Sequence, residues 1–124
     1  MATVLLVEDD PDNSHLLQVW LTRMGHRVHA AASVLEALHL LSEYGCPDVA
    51  VVDIVMGSST GLDLVGYLRR DWPPTARMPA VLLTARELDT DLADARALNT
   101  KLMKKPCTKN QLREAIDHAL QLVH

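Results

Sequence analysis

Residues 4–7 (VLLV), 49–52 (VAVV) and 80–83 (AVLL) are three short runs without a single polar residue. A strand with one wet face alternates apolar and polar side chains, so an uninterrupted run of this length marks a strand covered on both faces. Covering both faces of a sheet takes crossover connections, and these make the strands parallel. Two further candidates, RVHAA from Arg27 and KLMK from Lys101, mix polar with apolar residues as sheet edges do.

Between the runs the apolar period turns helical. Leu16, Leu17, Trp20, Leu21 and Met24 form one stripe, and Leu112, Ile116, Ala119, Leu120 and Val123 another. Residues 62–70 read as a helix stopped by WPP, and 87–98 as a more polar helix with a thin Leu88, Leu92, Ala95 stripe. Ser33-x-x-Glu36 and Thr108-x-x-Gln111 fit the capping box, and Asp10-Pro11 fits an N-cap followed by proline at the first helical position. Strands and helices therefore alternate five times. With right-handed crossovers this is the α/β class: a doubly wound, flavodoxin-like five-stranded parallel sheet of order 2-1-3-4-5.

At 124 residues the chain is expected to be one domain over 1–124, and it can bury roughly two-thirds of its unfolded surface. Its apolar stretches are far shorter than the ~20 residues of a membrane helix, and no secretory signal opens it, so a cytoplasmic location away from membranes is expected. A net charge of −4, with no basic face, argues against direct nucleic-acid binding and for a protein partner. Cys46 and Cys107 lack CxxC spacing and read as reduced thiols, and the scattered histidines read as surface residues.

In a parallel sheet all carboxyl ends lie on one edge, and ligands bind there where the strand order reverses. Strand 1 ends in Glu8 and Asp9, strand 3 in Asp53 and strand 4 in Thr84, while Lys105-Pro106 follows strand 5. Asp10 is the exception in the acidic run, best read as the helix cap. Three carboxylates at one crevice repel one another and call for a cation, and an all-oxygen open site suits Mg²⁺. Beside a metal, Asp53 can act as a nucleophile toward phosphorus, Lys105 can balance phosphoryl charge and the Thr84 hydroxyl can donate a hydrogen bond. Strand alternation points Lys104 and Lys105 to opposite faces.

These residues, in this order and spacing, resemble the receiver domain of two-component response regulators. The acidic pair after VLLV, Asp53 closing VAVVD, the MGSSTGLDL loop with Gly61, Thr84-Ala85 and Lys105-Pro106 carry the likeness. The resemblance implies a phosphoacceptor rather than an enzyme. A histidine kinase or histidine phosphotransfer protein would donate a phosphoryl group to Asp53, in a two-component system or phosphorelay read out by a downstream protein. It also implies Mg²⁺ held directly by Asp9 and Asp53, through water by Glu8, and by the backbone carbonyl of Val55. Val55 and Arg86 occupy the positions that tune hydrolysis, and slow self-dephosphorylation is expected.

Three positions depart from the family pattern. Gly57 stands in place of a proline, which frees the acceptor loop. Leu102 replaces the aromatic residue that reports phosphorylation to the output face, and Cys107 replaces a common aromatic. An alternative function is an interaction module that keeps the fold and signals without phosphorylation; the intact acidic pair, Asp53, Thr84 and Lys105 argue against it. DIVMG lacks the second aspartate of aspartate-nucleophile phosphatases, and Glu8-Asp9-Asp10 stands where a nucleotide or flavin binder would need a glycine-rich phosphate loop. The chain starts at its first strand and stops with its last helix, so no output domain is expected.

Overall fold

The computed structural model describes residues 2–56, 59–75, 77–84, 100–105 and 107–121. Five strands, β1 (Thr3–Val7), β2 (Arg27–Ala31), β3 (Val49–Asp53), β4 (Ala80–Thr84) and β5 (Lys101–Lys104), form one sheet in the order 2-1-3-4-5. Every neighbouring pair runs parallel. The fold class and strand order are those expected from the sequence. The edges are β2 and β5, the two strands of mixed polarity.

Alternation along the strands splits the interior into two layers. Leu5, Val7, Ala50, Val52, Ala80 and Leu82 face helices α2 (Val34–Tyr44) and α3 (Gly61–Asp71). Val4, Leu6, Val49, Val51, Val81 and Leu83 face α1 (Pro11–Arg23) and α4 (Lys109–Gln121). Central strands whose residues all point into one layer or the other have no polar alternation to show. Each fully buried Leu or Val here contributes about 1.5–3 kcal/mol relative to exposure.

Helix starts follow the sequence signals. Asp10 caps α1 by accepting from the Asp12 N–H (3.1 Å), with Pro11 next. Ser33 caps α2 by accepting from Glu36 N–H, while the Glu36 carboxylate reaches back one residue further than the usual box, to Ala32 N–H (2.7 Å). Thr108 and Gln111 exchange hydrogen bonds reciprocally at the start of α4.

Leu16 is a correction. It is 44% exposed, whereas Leu17 and Leu21 are buried and Trp20 and Met24 pack partly against them. The stripe read from the sequence was one residue too wide for the face α1 buries. On α4 the buried set is Leu112, Ala115, Ile116 and Ala119, with Leu120 at its margin. Gly57, Arg86, Pro106, Val123 and the helix expected over 87–98 lie outside the described residues.

Candidate functional site

The site forms where β1, β3, β4 and β5 end. Glu8 follows β1 and its backbone N–H donates to the Ala31 carbonyl of β2 (3.0 Å), which carries the sheet ladder one residue past the strand. That anchor holds the Glu8 side chain inward, 2% exposed, while Asp9 beside it is open to solvent. Asp53 is the last residue of β3 and 6% exposed. Thr84, also buried, ends β4 one step beyond Leu83, the register partner of Asp53. Lys105 follows β5, and its backbone N–H donates to the Thr84 carbonyl (2.6 Å).

Oxygen atoms of Glu8, Asp9 and Asp53 lie within 4.8 Å of one another, the one such group of potential metal-ligating side chains among the described residues. The Lys105 ammonium enters the same cluster and donates to Glu8 Oε2 (2.9 Å) and Asp53 Oδ2 (3.0 Å). The second Glu8 oxygen accepts from the Asp10 N–H (3.3 Å). Burial pushes the Glu8 carboxyl above its ordinary range; the Lys105 hydrogen bond opposes this and the Asp53 charge adds to it. Burial alone would lower the Lys105 ammonium, but hydrogen bonds to Glu8 and Asp53 outweigh it and the net direction is up. The lysine is therefore firmly charged and already offsets part of the carboxylate repulsion.

Beyond Asp53 the described backbone pairs with itself. Val55–Met56 and Ser59–Thr60 form a two-stranded antiparallel ribbon, with Val55 opposite Thr60 and Met56 opposite Ser59. The ribbon runs directly into α3, whose first residue, Gly61, donates from its N–H to the Ile54 carbonyl (2.7 Å). Ile54 in turn donates to the Leu83 carbonyl (2.9 Å).

Glu8, Asp9, Asp53, Thr84 and Lys105 thus share one edge, as the sheet order requires. What sequence reasoning missed is that Lys105 spans two carboxylates. Its partners are 97 and 52 residues away, and no local pattern carries that pairing. Lys104 is exposed, on the opposite side of the alternation from Lys105.

The chain matches the response regulator receiver domain over residues 4–117. It belongs to the response regulator receiver domain family. The response regulator protein PilR of Pseudomonas aeruginosa is 34% identical over 119 residues, covering 95% of this chain and 26% of that one. The transcriptional regulatory protein AfsQ1 of Streptomyces coelicolor is 40% identical over 92 residues, covering 74% of this chain and 39% of the other. The chain thus spans well under half the length of these relatives. Among solved structures, the receiver domain of a signal transduction histidine kinase from Syntrophus aciditrophicus superposes with a TM-score of 0.87 at 25% identity, covering 99% of this chain and 92% of that one. Vibrio cholerae chemotaxis protein CheY4 gives 0.88 at 24% identity, covering 96% and 98%, a likeness of fold. No helix among the described residues of this receiver domain is long and apolar enough to cross a membrane.

Proposed function

We propose that this receiver domain accepts a phosphoryl group on Asp53 from a phosphohistidine of a kinase or phosphotransfer protein and signals through contacts with a further protein. The observation that carries this reading is the setting of Asp53: buried, with carboxylate oxygens of Glu8 and Asp9 within 4.8 Å and the Lys105 ammonium at 3.0 Å. An Asp53 oxygen would form the new bond to phosphorus as the donor's P–N bond breaks, its electron pair leaving with the imidazole nitrogen. The product is an acyl phosphate. Lys105 is placed to follow the negative charge from the carboxylate to the phosphoryl oxygens, and Thr84, at the neighbouring strand end, supplies a hydroxyl donor.

The donor set fits a hard divalent cation, since three carboxylates converge and no nitrogen or sulfur ligand stands among them. Asp9 and Asp53 would hold Mg²⁺ directly, Glu8 through water, and the Val55 carbonyl would complete the protein ligands. When bound, the metal supplies neutralisation of the charge that builds on the phosphoryl oxygens. The Val55 side chain offers no hydrogen bond to an attacking water, which supports slow loss of the phosphoryl group.

Intact-mass spectrometry after incubation with acetyl phosphate and Mg²⁺ tests the reading. The wild type is expected to gain one phosphoryl group and Asp53→Asn none, and Val55→Asn is expected to lose the group faster than wild type. Equal labelling of wild type and Asp53→Asn would move the acceptor elsewhere. An unlabelled wild type would favour an interaction module that works without phosphorylation.

A further inference from the structure

Gly61 opens α3 against the backbone of the residue proposed to take the phosphoryl group. A methyl group there would overlap the Asp53 carbonyl oxygen and would stand 2.7 Å from Val52 Cγ1 and 2.9 Å from the Asp53 carbonyl carbon. Two of these atoms belong to the main chain of β3 and cannot rotate away, so either α3 or the end of β3 would have to move. The approach is held from the other side as well: the Gly61 N–H donates to the Ile54 carbonyl at 2.7 Å, immediately after Asp53.

From this geometry we infer that Gly61 is a positioning residue for phosphoryl transfer, setting the place of the Asp53 carboxylate by letting α3 rest on its backbone. The inference rests on the reading of Asp53 as the acceptor. The Asp53 carboxylate is held by the 3.0 Å bond from Lys105, with oxygens of Glu8 and Asp9 within 4.8 Å of it. A main-chain shift of a few tenths of an ångström at Asp53 moves the nucleophile relative to partners anchored on β1 and β5. Misplacement on that scale slows group transfer by large factors, reaching roughly a hundredfold for 1 Å.

The Val52 contact separates positioning from simple crowding. If a methyl at position 61 acted through the Val52 side chain alone, trimming Val52 would relieve it; if it acts through the Asp53 main chain, trimming Val52 leaves the defect. The experiment compares wild type, Gly61→Ala, Val52→Ala and the double variant. It measures the rate of labelling at saturating acetyl phosphate and Mg²⁺, with folding followed by urea unfolding.

Gly61→Ala is expected to label about tenfold more slowly than wild type, Val52→Ala close to wild type, and the double variant as slowly as Gly61→Ala. A loss smaller than threefold in folded Gly61→Ala, or recovery of the rate in the double variant, overturns the inference. Should Gly61→Ala not fold, amide exchange in the wild type decides. Protection of the Gly61 N–H by a hundredfold or more supports the fixed approach, and exchange at the unprotected rate overturns it. A wild type that takes no phosphoryl group counts against the acceptor reading itself, whereas a fast Gly61→Ala counts only against the positioning role.

Discussion

His26 is a histidine whose protonation the fold opposes, chiefly by burying it. Its Nδ1 accepts from the Ala2 N–H (3.1 Å), which ties the segment before β1 to the turn between α1 and β2. Burial lowers its proton affinity, the chain's amino terminus lowers it further, and Asp117 on α4 pulls the other way. The folded value therefore lies below the ordinary ~6.5. An unfolded chain then takes up the proton first as pH falls, so this stabilisation is fully present above about pH 6.5 and fades below it. Urea midpoints of wild type should drop between pH 7.5 and pH 5.5 more steeply than those of His26→Ala. Identical slopes in the two proteins would show that His26 titrates alike in both states. No such linkage was legible in the sequence, where His26 was one of six histidines without an evident partner.

At the scale of elements, what the sequence disclosed and what it concealed divide by the range of the interaction. Strands β1, β3 and β4 announced themselves because continuous apolar runs report burial on both faces. Helix starts at Asp10, Ser33 and Thr108 were legible because a cap is made with residues two or three positions away. Leu16 was misread because periodicity alone does not fix the width of the face that α1 buries. The Lys105 bridge joins residues 97 and 52 positions apart and left no local trace; Gly61 was visible as a loop glycine, but its approach to the Asp53 backbone was not. Leu102 is the element-scale departure with the largest consequence for signalling. It lies half-buried in β5, packed against the α2 and α3 layer and in register with Leu82. A leucine lacks the polar tip of a tyrosine and repacks without presenting a different surface, so it cannot serve as an aromatic switch between two states. We therefore expect beryllofluoride activation to change affinity for the cognate protein target at the β5 and α4 face by less than about tenfold, or ~1.4 kcal/mol. Isothermal titration of that target with untreated and activated protein checks this, and a hundredfold change would place the switch elsewhere in the domain.

For the whole molecule the acidic crevice is a local fault in a well-covered sheet, since two of its carboxylates are buried side by side at the end of the central strands. The Lys105 ammonium bonded to both Glu8 and Asp53 is the internal compensation, and a divalent cation held by the same carboxylates would be an external one. Two cations offsetting one cluster must be thermodynamically linked, and removing one raises the worth of the other. Lys105→Met should accordingly be less stable than wild type in EDTA, by about 3–5 kcal/mol, the usual cost of removing one partner of a buried ion pair. Mg²⁺ should stabilise wild type by an amount that grows with concentration, about 2.7 kcal/mol at a hundred times its dissociation constant. It should stabilise Lys105→Met by more, so that the two urea curves draw together as Mg²⁺ saturates, while Asp9→Asn and Asp53→Asn lose most of the response. If Lys105→Met unfolds at the wild-type midpoint in EDTA, the lysine is not the cluster's compensating charge. If Mg²⁺ leaves the wild-type midpoint unmoved, the three carboxylates do not hold the metal in the folded domain.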